Sequence, residues 1–133
     1  MKYFLILFPL LIVAIWFRFG SLMGAGESGL AFYDLNIISE GSRWAWIDTA
    51  VGNANGINVA THPTYFLLSA LEKLGIPNFL IQAIFMYIVL AVAGLSIVYL
   101  TESLFPKTKS EVLIATAFFY WFNPFVAVNV WNR

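Results

Sequence analysis

"NFLIQAIFMYIVLAVAGLSIVYL", residues 78–100, contains no charged side chain. An α-helix rises about 1.5 Å per residue, so roughly 20 apolar residues cross the ~30 Å hydrocarbon core of a bilayer. This stretch is long enough to do so, and it decides the fold class: all-α, built from membrane helices. Composition agrees, with 61% hydrophobic and 11% charged residues, far from the roughly half and one quarter of soluble domains. The formal net charge is zero and there is no basic run, so the concentrated positive field a nucleic-acid partner needs is missing. The chain has no cysteine, which excludes disulfides, thiol nucleophiles and thiolate-bound metals.

Two further apolar stretches flank this one, giving about three spans, at 3–19, 78–101 and 110–131. The first, "YFLILFPLLIVAIWF", follows Lys2 and ends at Arg18. A secretory signal peptide also has a short apolar core after a positive start. However, "SLMGAGES" offers only a loose cleavage site, and Trp16, Phe17 and Phe19 suit an interfacial anchor. The third, "EVLIATAFFYWFNPFVAVNVW", has Ser110 as a helix N-cap and Pro124 as a kink, since proline lacks the backbone donor.

Lys2 precedes the first span, and Lys107 and Lys109 sit in the "FPKTKS" link between the second and third. Lysines in short segments mark the cytoplasmic face. The N-terminus is therefore expected in the cytoplasm and the loop 20–77 outside, in a multi-pass protein of the cell membrane. Five of the seven acids (Glu27, Asp34, Glu40, Asp48, Glu72) fall in that loop. Its aromatic residues run throughout, unlike a disordered linker, so it should be ordered. Asp34 is placed to cap a short helix over "LNIISEGSRWAWI", with Leu35, Ile38, Trp46 and Ile47 resting on the membrane interface. "GNANGIN", 52–58, reads as a turn. "HPTYFLLSALEKLG" reads as a helix with Pro63 in its first turn, a Leu67, Leu68, Leu71 and Leu74 face, and Gly75 as its stop.

The order of the first span, an acid soon after it, the run "RWAWIDTAVGNANGINVATHPTYFLLSALEKLGIPNFLIQAIFMYIVLAVAGLSIVYLTESLF" and then "FFYWFNPF" resembles the N-terminal part of the GT-C polytopic glycosyltransferases. The nearest group is the arabinofuranosyltransferases. The resemblance covers nearly the whole chain, through Trp46, the "GNAN" loop, "HPTYF", "LGIPNFLIQ" and the "FNP" break. It implies transfer of a sugar from a polyprenyl-phosphate donor to a glycan or glycoconjugate acceptor on the outer side of the membrane. It also implies a general base in the first outer loop. Glu27 of "GES" stands in the matching place, where the family usually has Asp, and Asp34 is the reserve candidate. Substrate contacts are expected from Arg43, Trp46, Asn53, Asn55, His62 and Tyr65.

The chemistry gives its own reason to look in this loop. Inverting transfer needs one carboxylate to accept the incoming hydroxyl's proton at about 3 Å. A phosphate leaves already charged, so no second acid is required, unlike in glycoside hydrolysis. Arg43, His62 and Lys73 are the loop groups able to meet that phosphate, Arg43 in bidentate fashion. One imidazole without a spaced partner does not make a metal site, so no cofactor is assigned and divalent-metal need is left open. Each residue also has a plainer reading: solvated loop acids, Asp34 as a cap, Arg43 snorkelling to headgroups, and tryptophans as interfacial anchors. Asn123, before Pro124, is placed to satisfy carbonyls freed by the kink.

Three helices leave little room for both a donor and an acceptor pocket. The chain is thus expected to work with the remaining helices of a longer protein. The alternative from another class is a small non-enzymatic accessory or assembly subunit, or a fragment of a transporter or flippase. The absence of charge within the second span argues against a transport pathway.

Overall fold

The computed structural model describes residues 2–23, 31–47, 53–54 and 56–123. The described residues are all-α apart from one two-residue strand pair. In chain order they form α1 (Lys2–Trp16), α2 (Leu35–Ser42), β1 (Trp46–Ile47), β2 (Asn53–Ala54), α3 (Gly56–Lys73), α4 (Asn78–Leu104) and α5 (Ser110–Phe122). The chain divides into two compact units, Met1–Phe19 with Ala83–Arg133, and Gly20–Gln82. The outer loop expected at 20–77 thus forms a unit of its own, extended by the first turn of α4.

In the first unit, buried positions recur every four residues, which keeps them on one side of each helix. They are Leu5, Pro9, Val13 and Phe17 at the N-terminus, Leu90, Gly94 and Val98 on α4, and Leu113, Ala117 and Trp121 on α5. The exposed positions are equally apolar, among them Leu7, Leu11, Ile88, Val92, Tyr99 and Phe119. A helix that is apolar all round suits lipid rather than water on its outer side. α4 has 27 residues, about 40 Å, and is the one described helix long and apolar enough to cross a membrane. It runs past the expected end at 101, and the hydroxyls of Thr101 and Ser103 bond back to the carbonyls of Ile97 and Tyr99.

α1 and α5 are apolar but shorter than the expected spans. α1 stops at Trp16; the Phe17 amide still bonds to Val13 O at 3.0 Å, and Gly20 then turns the chain at φ 67°. Past Phe122, Asn123 is extended, the geometry that steric crowding by a following proline favours. Its side-chain amide donates to Tyr120 O at 2.7 Å, the expected use. Pro124 and the rest of the span to 131 lie outside the described residues. The α5 cap is Lys109, without a side-chain cap bond, rather than Ser110. Lys107 in the preceding link has φ 75°.

α1, α4 and α5 are joined by aromatic packing. Phe8 lies 5.3 Å from the Trp121 ring and 5.0 Å from Phe118, and Phe4 stacks on Phe8. The Trp121 indole N–H donates to Leu90 O at 3.0 Å. A Cβ on Gly94 would come within 2.9 and 3.2 Å of Trp121 Cε2 and Cη2, so glycine is what lets α5 approach α4 this closely.

In the second unit α2 packs on α3. Asp34 caps α2 as read from the sequence: it is extended and its Oδ1 accepts from Ile37 N at 2.9 Å. Several expectations fail here. α2 ends at Ser42 instead of reaching Ile47. Trp46 and Ile47 then pair with Ala54 and Asn53. Leu35 is fully buried, whereas Trp46 is exposed. The "GNANGIN" turn is also shorter than expected, since α3 begins at Gly56. Pro63 is therefore interior and denies a donor to the Val59 carbonyl. Packing on α2 and the hydrogen bond between Ser42 and His62 hold the turn before it.

The leucine face of α3 is divided as well. Leu68 is 8% exposed but Leu67 is 66%, and Leu74 is exposed too. The buried line runs through Leu68 and Ser69, with Tyr65 and Glu72 half-buried. α3 stops in a Schellman motif, with Gly75 at φ 83° and bonds Gly75 N to Glu72 O (2.9 Å) and Ile76 N to Leu71 O (3.2 Å).

Candidate functional site

The polar chemistry of the described residues gathers in the Gly20–Gln82 unit. Residues 36, 39, 40 and 43 follow helical spacing (i, i+3, i+4, i+7), so Asn36, Ser39, Glu40 and Arg43 share one edge of α2. With Lys73 they form the polar side of a groove of about 450 Å³ whose apolar side is Ile37 and Phe66. Arg43 pairs with Glu40 at 3.2 Å, both side chains being more than half exposed. Such a pair contributes about 0–1 kcal/mol and is easily exchanged for another anion. The groove therefore presents two cations and a carboxylate beside an apolar wall.

Behind it, Glu72 accepts hydrogen bonds from the amides of Asn36 and Asn78, the latter at 2.9 Å. Asn78 also reaches Tyr33 O at 3.3 Å. One carboxylate thus ties together α2, α3 and the start of α4. Among the described residues, Asn36 Oδ1 is buried without a partner. Gln82, 1% exposed, takes Met23 N–H on its Oε1 (2.8 Å) and gives its Nε2–H to Met23 O (3.0 Å). Its donor and acceptor together satisfy both backbone groups of Met23, in the segment entering the loop.

A third cluster adjoins the groove. Ser42, fully buried, donates to Ser39 O at 2.9 Å and lies 2.8 Å from His62 Nδ1. His62 neighbours the groove residue Phe66 with ring centroids 6.0 Å apart, and its partner Ser42 bonds to the carbonyl of Ser39, which also lines the groove.

Of the residues singled out from sequence, Arg43 lines the groove and His62 borders it through Ser42. Asp34 does not take part: its carboxylate is the α2 cap. Trp46 sits exposed in β1, Tyr65 is half-buried on α3, and neither lines the groove. The backbone of Asn53 pairs in β2. Glu27 and Asn55 lie outside the described residues. Among the described residues no three potential metal ligands cluster. Asn36, Ser39, Ser42 and Glu72 were missed from sequence, although the helical spacing of 36, 39, 40 and 43 was there to find. Gln82 had a signal too: a lone amide inside an apolar run must find a partner.

Comparison with protein-family models, with curated proteins and with solved structures returns no match for this chain.

Proposed function

We propose that this chain is the front part of a multi-pass membrane glycosyltransferase, moving a sugar from a polyprenyl-phosphate donor to an acceptor outside the cytoplasmic membrane. α1, α4 and α5 cross or enter the bilayer, with the N-terminus and the Lys107–Lys109 link on the cytoplasmic side. The Gly20–Gln82 unit lies outside. The observation that carries the reading is the groove between α2 and α3, where Arg43 and Lys73 stand beside the apolar Ile37 and Phe66. A polyprenyl phosphate is an amphiphile with this same division: a charged phosphate that Arg43 receives in bidentate fashion, and a hydrocarbon tail. The resemblance to GT-C enzymes supports the same reading from sequence.

In it, Glu27 accepts the proton of the acceptor hydroxyl as the bond to the anomeric carbon forms, and the phosphate leaves charged. Asp34 is the weaker candidate, its carboxylate being occupied as a helix cap. The test is sugar transfer from a lipid-linked donor by the full-length protein at matched expression. Glu27→Gln keeps shape and removes the acceptor, so transfer should fall by roughly 10²- to 10⁴-fold, while Asp34→Asn should cost little. Undiminished transfer by Glu27→Gln removes that residue as the base. No transfer by the unaltered protein removes the function.

A further inference from the structure

His62 is the one histidine of the chain, and its protonation pattern follows from a count of hydrogens. The Ser42 hydroxyl carries one proton, which is directed to Ser39 O at 2.9 Å. The same oxygen lies 2.8 Å from His62 Nδ1. Both contacts are hydrogen bonds at once only when Ser42 donates to Ser39 O and Nδ1 carries the hydrogen that Ser42 accepts, which is the arrangement the geometry favours. In the neutral ring Nε2 is then a bare acceptor, because the bond at one ring nitrogen sets the state of the other. Nε2 makes no hydrogen bond among the described residues, although the ring is only half exposed. The chain from Ser39 O through Ser42 to Nδ1 fixes the imidazole as an orienting partner fixes a catalytic or metal-bound histidine.

We propose that His62 Nε2 receives a hydrogen bond from a hydroxyl of a sugar bound at the edge of the α2–α3 groove. This deepens the transferase reading and corrects one expectation within it. A lone pair on Nε2 repels a phosphate oxygen but pairs with a hydroxyl, so His62 recognises the sugar, and Arg43 with Lys73 receive the phosphate. Phe66, which lines the groove, lies beside the His62 ring, and Phe66 gives the apolar surface on which a sugar ring can rest.

The experiment uses the chain labelled with ¹⁵N-histidine in lipid nanodiscs, where His62 gives the sole histidine signal. The expected spectrum is that of the Nδ1–H tautomer. Methyl β-glucopyranoside and methyl arabinofuranoside should shift Nε2, and their fully O-methylated forms, which have no donor, should not. His62→Asn places an amide N–H where Nδ1 stands and keeps the Ser42 bond while deleting Nε2. It should unfold like the unaltered chain yet bind the glycosides about tenfold more weakly, the worth of one hydrogen bond. An Nε2–H tautomer, an Nε2 signal unmoved by glycosides, or one moved by inorganic phosphate alone overturns the proposal. So does full binding by His62→Asn, and should that variant fail to fold, the tautomer and titration of the unaltered chain decide. Glycoside binding at Nε2 without transfer from any lipid-linked donor overturns the transferase reading alone. Transfer with a silent Nε2 overturns only the role of His62.

Discussion

Gly94→Ala tests how α5 is seated on α4. A Cβ at 94 would stand 2.9 Å from Trp121 Cε2 and 3.2 Å from Cη2, contacts that oblige the indole to move. Trp121 cannot swing freely, because its ring is 2% exposed and stacked on Phe8, and its N–H is bonded to Leu90 O. Overpacking of this kind costs about 1–3 kcal/mol, and loss of the indole hydrogen bond adds about 1. Against this, alanine is a better helix former than glycine by about 1 kcal/mol. The balance is a net destabilisation of about 1–3 kcal/mol. Reversible unfolding in mixed micelles, followed by near-ultraviolet circular dichroism of the tryptophans, measures it. A second variant, Trp121→Phe, shrinks the ring, and the double mutant should show coupling: alanine at 94 costs less once the indole is gone. A Gly94→Ala chain as stable as the parent, or additive behaviour in the cycle, would refute the close approach.

Other changes probe the outer unit. Glu72→Gln replaces a carboxylate that accepts from two asparagine amides and turns a donor toward one of them, so a loss of about 1–3 kcal/mol in chemical denaturation is expected; a silent change would deny the network. Asp34→Ala should cost about 1 kcal/mol and Asp34→Asn a few tenths, read as the same midpoint shift. Leu68→Ala should cost about 2–4 kcal/mol and Leu67→Ala under about 1, given their 8% and 66% exposure; the reverse order would mean that α3 is turned the other way.

The sequence carried the helices more faithfully than their faces. An uncharged run such as 78–100 declares itself as one long apolar helix, and Asp34 and Gly75 mark helix ends by local chemistry that needs no tertiary knowledge. Asn123 was legible for the same reason: a proline at 124 leaves a carbonyl one turn back without a donor, and the Asn123 amide meets it. The leucine face of α3 was not. Leu67, Leu68, Leu71 and Leu74 satisfy an amphipathic pattern, yet only contact with α2 selects Leu68 and Ser69 as the inward line. Pro63 misled in the opposite sense, since a proline suits a first turn unless packing holds the residues before it in helix. The groove needed two helices far apart in sequence, Lys73 and Phe66 from one and Arg43 from the other, so composition showed the cations but not their meeting. Glu72 looked like a solvated acid because its partners, Asn36 and Asn78, are 36 and 6 residues away.

Everything proposed for the groove requires the Gly20–Gln82 unit to lie outside the cell and the link before α5 to lie within. The chain has no cysteine, so Glu40→Cys and Lys109→Cys each provide a single exposed thiol for a membrane-impermeant maleimide in intact cells. Labelling at 40, with 109 reacting only after the membrane is opened, is the predicted result. Labelling at 109 with 40 protected would place the groove in the cytoplasm and contradict the account.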